Sequence, residues 1–472
     1  MLTIHLRIIN SATNKPTPVR LRITDQKGIA YTPFGRFPLF ACGKGESVGG
    51  HVRLGQECFS YIDGSCEIRL PAGVPLRIQA FKGPEFEPLD HEILLGPGQM
   101  AVRLSMTRQT EMRPPNWYSG DTRAHYLSTQ AAELEAGAED LDIVNLLAHV
   151  DYAAGMDGHL YPSLPNLIEF TGQTETRVAV NTLNTHPVLG HVGLLNSHRP
   201  VYPLTFGGPD ETDDWSICDW CDQCHRKGGF TVWTRPFEPL SRLVGGEALV
   251  ALILGKIDAV EYDSKPRTQS LLVPWYRLLN AGFNVPLVGG SGKVSNATAL
   301  GTVRTYAQLL ADESLTYRAW IEAVRAGRCF VTSGPLLTLS KEVHPITASA
   351  TSLTRFESLE LIADGRVIAS ARSEQTGKRW TATVRSEPLP NDANWIAARC
   401  PGPDGFAHTS AVFLKSGEPR RQPDALKYLR NMVDKTREWI DDHGRFTGER
   451  SKQHLLELCD RAIERLTIRS DS

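Results

Sequence analysis

The sequence has no surplus of charge of either sign: 51 lysines and arginines stand against 53 aspartates and glutamates, a net charge of −2. A basic face of the kind that holds nucleic acid or an anionic membrane is therefore not expected. Long apolar runs are missing as well. The best stretch, 248–254, falls far short of the ~20 residues that span a bilayer. Nor does the chain open with a basic segment followed by an apolar one. Residues 1–8 alternate apolar and polar and read as a strand, not a signal peptide. Finally, the 9 cysteines are odd in number and have no framework-like spacing, which excludes a disulfide scaffold and implies reduced thiols in a cytoplasmic protein.

What is present is the composition of a globular protein, 41% hydrophobic and 22% charged, and a length of 472 residues suggests about three domains. Residues 1–112 read as short strands (2–9, 19–24, 66–70, 76–81 and 101–106) separated by glycine and proline, with Asp63-Gly64 as a hairpin turn. An antiparallel β-sandwich follows from that pattern. After the stiff Arg113-Pro114-Pro115-Asn116 connector the periodicity changes. Helices at 131–139, 214–227, 247–254, 271–281 and 316–326 alternate with strands at 141–149, 178–183, 191–195, 230–234, 259–262, 285–289 and 329–332. Repeated βα units over 116–340 predict an α/β barrel, with chemistry at the C-terminal strand ends. Residues 341–416 return to a small β module. Residues 421–472 show apolar residues three and four apart on both sides of Gly444, a helical hairpin.

The densest polar stretch is Ser119-Gly120-Asp121-Thr122-Arg123-Ala124-His125. Alternation along a strand points Asp121, Arg123 and His125 the same way. A metal-dependent hydrolase would carry Asp-x-His-x-His at such a strand end, since two imidazoles at i and i+2 can hold one cation. Arg123 takes the first imidazole position, and a guanidinium, always protonated, cannot ligate a metal. Other polar residues at predicted strand ends are His149, Asp151, Asn181, His191, Arg235 and Glu261. Their joint placement on one rim is more informative than any one of them.

From these residues outward the chain resembles the CehA/McbA-type metallohydrolases of the polymerase and histidinol phosphatase (PHP) superfamily. The resemblance covers most of the chain. It rests on Ser119-Gly120-Asp121, Gly190-His191-Val192-Gly193-Leu194-Leu195-Asn196, His225 to Trp233, Asp258-Ala259-Val260-Glu261, Gly289-Gly290-Ser291, Gly327 to Pro335 and Ala407-His408-Thr409-Ser410. It implies a PHP-type (β/α) barrel flanked by an N-terminal β-sandwich and by a small C-terminal β module with a helical hairpin. It also implies hydrolysis of an ester, amide, carbamate or phosphoester. Family members bind metals through histidines and carboxylates, and three such positions differ here: Arg123 and Arg235 stand for histidines and Gly292 for an aspartate. No tightly bound cluster is therefore expected. If the chain is active, His125, His191 and Glu261 would hold a single divalent zinc, manganese or iron ion, with Asp121 or His149 handling protons. The alternative is a catalytically inactive protein that binds an anionic small molecule through Arg123 and Arg235, aided by Asn181 and Lys293. A third reading is a structural subunit of a larger assembly.

Two motifs have plainer explanations. Cys218, Cys221, Cys224 and His225 have metal-like spacing but lie on one predicted helix, where thiols pack as small apolar groups. Gly289-Gly290-Ser291-Gly292-Lys293 lacks the spacing of a phosphate-binding loop and reads as a tight turn with Lys293 facing the pocket, and Ser291 has no nucleophile elbow around it.

Overall fold

The computed structural model describes every residue except 47, 110, 151–159, 162–176, 209–210, 237–244, 263–268, 341–344, 387–392, 403–404, 415–418 and 468–472. In the strand Leu2–Asn10 the alternation is realised: Ile4, Leu6 and Ile8 are buried while Thr3, His5 and Arg7 are exposed. This strand lies between Ser65–Leu70 and Ala101–Met106. A second sheet, centred on Val19–Asp25 between Glu57–Ile62 and Pro75–Phe81, supplies Leu21, Ile23, Leu76 and Ile78 to the same core. Two sheets around one apolar layer are a sandwich.

Two details differ from expectation. Leu2–Asn10 pairs with Ala101–Met106 in parallel, because after Ser65–Leu70 the chain crosses to the opposite sheet and passes through Pro75–Phe81 and Leu89–Leu94 before it returns. Asp63-Gly64 does not close a hairpin; it carries the chain from Glu57–Ile62 in one sheet to Ser65–Leu70 in the other.

The central region is mixed α/β. Its sheet runs Leu287–Gly289, Ala259–Tyr262, Phe230–Thr234, Gly190–Leu195, Arg177–His186, Ile143–Val150, Trp117–Ala124, Arg304–Gln308 and Cys329–Thr332. The expected succession of parallel βα units is broken in two places. Gly190–Leu195 is antiparallel to both its neighbours, and Arg304–Gln308 is antiparallel to Trp117–Ala124. The first departure has a simple cause: residues 187–189 alone join Arg177–His186 to Gly190–Leu195, far too few for a parallel crossover. The sheet curls, so that the Gly289 N–H donates to Thr305 Oγ1 at 2.7 Å and Ala124 bridges to Lys293.

The sheet does not stop at residue 340. It continues from Cys329–Thr332 through Ala407–Thr409, Trp395–Cys400, Ser358–Ala363 and Arg366–Arg372; with Leu160–Tyr161 and Val412–Phe413, which pair beside this path, it has 15 strands among the described residues. These C-terminal strands thus extend the central sheet, whereas Leu336–Leu339, Ile346–Ser352, Arg379–Ser386 and Glu374–Thr376 form a separate four-stranded sheet. The helices Pro423–His443 and Glu449–Leu466 pack Leu429, Val433, Ile440, Leu455, Cys459 and Ala462 into the core shared with the Ile217–Arg226, Glu247–Ile253 and Gln269–Asn280 helices. Among the described residues no helix is long and apolar enough to cross a membrane.

Candidate functional site

The strand Trp117–Ala124 buries Asp121, Arg123 and, just past its end, His125, at 0%, 1% and 2% exposure. Its pairing with Ile143–Val150 slips between Asp121 and Ala124, and such an irregularity re-aims side chains. Consecutive residues therefore both reach Glu261 on the Ala259–Tyr262 strand. Thr122 Oγ1 donates to Oε1 at 3.3 Å, and Arg123 Nε donates to Oε1 at 3.1 Å and to Oε2 at 2.8 Å.

Asp121 has a different job. Its Oδ1 accepts the N–H groups of Arg123 (3.0 Å) and Ser291 (2.9 Å), and its Oδ2 accepts that of Gly301 (2.8 Å). Burial pushes its pKa up, opposed by these hydrogen bonds. The carboxylate ties the strand to the 290–301 loop, and that loop must come close: a Cβ on Gly290 would lie 2.6 Å from the Arg123 backbone nitrogen. At Gly292, with φ +58°, a Cβ would lie 2.9–3.1 Å from the Arg123 guanidinium.

Imidazoles stand beside the guanidinium. His125 Nδ1 is 2.8 Å from Leu147 O. A carbonyl only accepts, so Nδ1 carries the proton and Nε2 is left bare. Burial, with His149, Arg123 and Arg235 adding positive surroundings, holds His125 well below the ordinary histidine range. The rings of His125 and His149 meet edge to face at 4.5 Å, and His149 Nε2 lies 3.3 Å from the Tyr126 hydroxyl. His191, opposite Thr234 in the sheet, is pushed down to about 3 by burial and then by Arg235 and Arg123. It too is neutral at physiological pH, and its Nδ1 is buried with no hydrogen-bond partner among the described residues. Arg235 and Tyr126 both adopt left-handed backbone, with φ 46° and 59°, a conformation that non-glycine residues tend to hold at functional sites.

Arg123, His125, His149, His191, Arg235 and Glu261 are thus brought together. Two other predicted residues are occupied elsewhere. Lys293, read from sequence as facing the pocket, is wholly buried; its ammonium donates to Ser295 O (3.2 Å) and Thr298 O (2.7 Å) and pairs with Glu135 at 3.4 Å. Asn181 Nδ2 donates to Asn145 Oδ1 (2.9 Å) and the Tyr317 oxygen (3.0 Å), while its Oδ1 accepts Asn196 N–H (2.9 Å). Asp151 lies outside the described residues.

The sequence reading missed Thr122, Tyr126 and the glycine-containing segment 41–46. That segment crosses from the N-terminal sandwich to the site loop: Gly45 N–H donates to Val294 O (2.9 Å) and Asn296 Nδ2 to Ala41 O (3.0 Å). At Gly45 a Cβ would lie 3.5 Å from the Tyr126 ring. Nothing in the composition announces this, because the segment makes these contacts with its own main chain.

The fit of these residues to a metal is poor. Both Glu261 oxygens face a guanidinium, and both Asp121 oxygens accept backbone N–H groups. Among the described residues no group of three or more His, Cys, Asp and Glu is arranged to hold an ion. Cys218, Cys221 and Cys224 are fully buried in the helix core, and His225 pairs with Asp258 at 2.8 Å.

Comparison with known proteins adds little. No family model matches the chain, and no curated protein does. The lesion-specific endonuclease PfuEndoQ from Pyrococcus furiosus is similar over 44% of this chain and 56% of its own, with a TM-score of 0.29 and 11% identity. Endonuclease Q bound to a 27-mer duplex with an abasic lesion at its active site matches 44% of this chain and 57% of its own, with a TM-score of 0.27 and 12% identity. The chain spans little more than half the length of these endonucleases, and at such scores the similarity carries no inference about this site.

Proposed function

We propose that the chain is a CehA/McbA-like homologue in the PHP superfamily, with a (β/α) barrel over residues 116–340, whose site binds an anionic small molecule instead of assembling a metal cluster. The observation that carries this reading is the Arg123–Glu261 ion pair, 2.8 Å long with side-chain exposures of 1% and 0%. The carboxylate best placed to ligate an ion is spent on a fixed positive charge, and a divalent cation beside that charge would be repelled at low dielectric. The N–H of the neutral His191 imidazole and the Arg235 guanidinium suit a carboxylate or phosphate, which accepts several hydrogen bonds at once.

The test is elemental analysis of protein purified without chelator, followed by calorimetric titration with inorganic phosphate and with small carboxylates. Zinc, manganese and iron are expected well below one equivalent. Binding of one of the anions should weaken about tenfold in Arg235→Ala and in His191→Ala, the loss of one charge-assisted contact each. The rival is a single-metal hydrolase of an ester, amide, carbamate or phosphoester, favoured by His191 Nδ1, which has no hydrogen-bond partner among the described residues. A stoichiometric transition metal that needs His125 and Glu261 for its retention would replace the proposal with that rival.

A further inference from the structure

The strands Phe230–Thr234 and Ala259–Tyr262 run parallel and deliver Arg235 and Glu261 to the site at their C-terminal ends. Their N-terminal ends open on a separate cleft of about 550 Å³. Three or four residues of strand, on the order of 10 Å, lie between the two. The charged and titratable side chains lining the cleft are His225, Lys227, Asp258, Arg318, Glu322 and Arg325. Both carboxylates are engaged. Asp258 Oδ2 accepts from His225 Nε2 (2.8 Å), the Thr231 N–H (2.7 Å) and Thr231 Oγ1 (3.1 Å), and Oδ1 accepts from Arg325 Nη1 (2.7 Å). Glu322 pairs with Arg325 Nε at 3.3 Å. Two cations have no such partner. Arg318 is exposed and makes no hydrogen bond or ion pair among the described residues. The Lys227 ammonium donates to Pro200 O at 2.9 Å and meets no carboxylate among them. Lys227, Arg318 and Arg325 against Asp258 and Glu322 leave a local charge of +1, in a chain whose net charge is −2. A concave surface of one sign concentrates ions of the other.

The geometry points to a second anion site in this cleft, where Lys227, Arg318 and His225 hold a phosphate group, free or in a monoester, while Asp258 and Arg325 fix the imidazole. The ring selects among anions. Its Nε2 donates to Asp258, since a carboxylate only accepts, so Nδ1 either carries a proton and donates or is bare and accepts. A phosphate group gains or loses one proton in the same pH range as an imidazole. An N–H···O or an O–H···N bond therefore forms whichever partner holds the proton. Sulfate and carboxylates have no proton to give near neutrality and suit only the protonated ring. This site is independent of the one built on Arg123 and Glu261, and the two readings can fail separately.

The experiment is calorimetric titration of the full chain, at low ionic strength so that partly exposed charges are not screened, with inorganic phosphate, glycerol 3-phosphate and sulfate. Lys227→Ala/Arg318→Ala should weaken one phosphate-binding event about tenfold, the loss of two charge-assisted contacts, and should melt with the wild type because both side chains reach solvent. Lys435→Ala, which removes an exposed charge from the Pro423–His443 helix, should change nothing. Sulfate should bind the cleft several-fold more weakly than phosphate. Tighter binding of glycerol 3-phosphate than of the free ion would assign the group to a small-molecule monoester, and the reverse to inorganic phosphate. The proposal is overturned if the double variant binds phosphate as the wild type does, if Lys435→Ala weakens binding as much, or if sulfate competes on equal terms. It is also overturned if Arg235→Ala alone abolishes all phosphate binding, since nothing would then be left for the cleft. An Arg235→Ala variant that titrates like the wild type would instead count against the reading of the other site and leave this one standing.

Discussion

Raising the pH through neutrality should weaken this fold through one carboxyl group, Glu135. It sits on the Thr129–Ala138 helix at 0% exposure, with Oε1 accepting the Gly50 N–H at 2.9 Å and Oε2 3.4 Å from the Lys293 ammonium. Burial outweighs both partners and raises its pKa from 4.5 to about 7, with nearby Glu139 adding to the rise. Between those two values the folded chain holds a proton that the unfolded chain has released. Stability therefore falls as pH rises through that window, and is fully retained, as far as this group is concerned, below 4.5. At 1.36 kcal/mol per pH unit the whole window corresponds to about 3 kcal/mol. Glu135→Gln keeps an oxygen for the Gly50 N–H but cannot ionise. Urea unfolding of wild type and variant at a series of pH values from about 5 to about 8 isolates the group, because every other titration is common to both. The difference in unfolding free energy should shift by about 2 to 3 kcal/mol in favour of the variant as pH rises. A difference that stays flat, or one that moves toward the wild type, would refute the assignment of a neutral buried carboxyl.

Other consequences are independent of that one. Arg113 joins Glu85 (3.0 Å) on the sandwich side to Asp142 (2.8 Å) on the central side, and Tyr306 donates to the same Glu85 at 2.7 Å. Arg113→Met should therefore cost about 3 kcal/mol and speed limited proteolysis of the connector around Pro114. Gly290→Ala drives a methyl into the Arg123 backbone and should cost about 2 kcal/mol by urea unfolding. Gly228→Ala, at φ +75° with open space around it, should cost only about 1 kcal/mol; equal losses would contradict the close approach at 290. Cys221→Ser places a hydroxyl in an apolar helix core and should destabilise by about 1 to 3 kcal/mol, whereas chelator should leave the wild-type melting curve unchanged. A melting point that drops on chelation would mean that the thiols hold a metal.

How much of this was legible in the sequence depends on the range of the interaction concerned. Ile4, Leu6 and Ile8 announce their strand, and Leu429, Val433 and Ile440 their helix, because a period of two or of about 3.6 is local and states which face is buried. That Arg123 would meet a carboxylate was also foreseeable, since charge compensation needs only the residue types. Tertiary structure alone decided which carboxylate was compensated: Glu261, 138 positions away, and not Asp121, whose oxygens went to backbone donors. It likewise took Lys293 from the pocket and gave it to Glu135, turned Gly190–Leu195 antiparallel, and sent Asp63-Gly64 from one sheet to the other. Each of these turns on the partner that a strand or charge meets after the chain has folded back on itself. Local periodicity selects a face, but the neighbour across that face is set by long-range packing, which the sequence does not spell out.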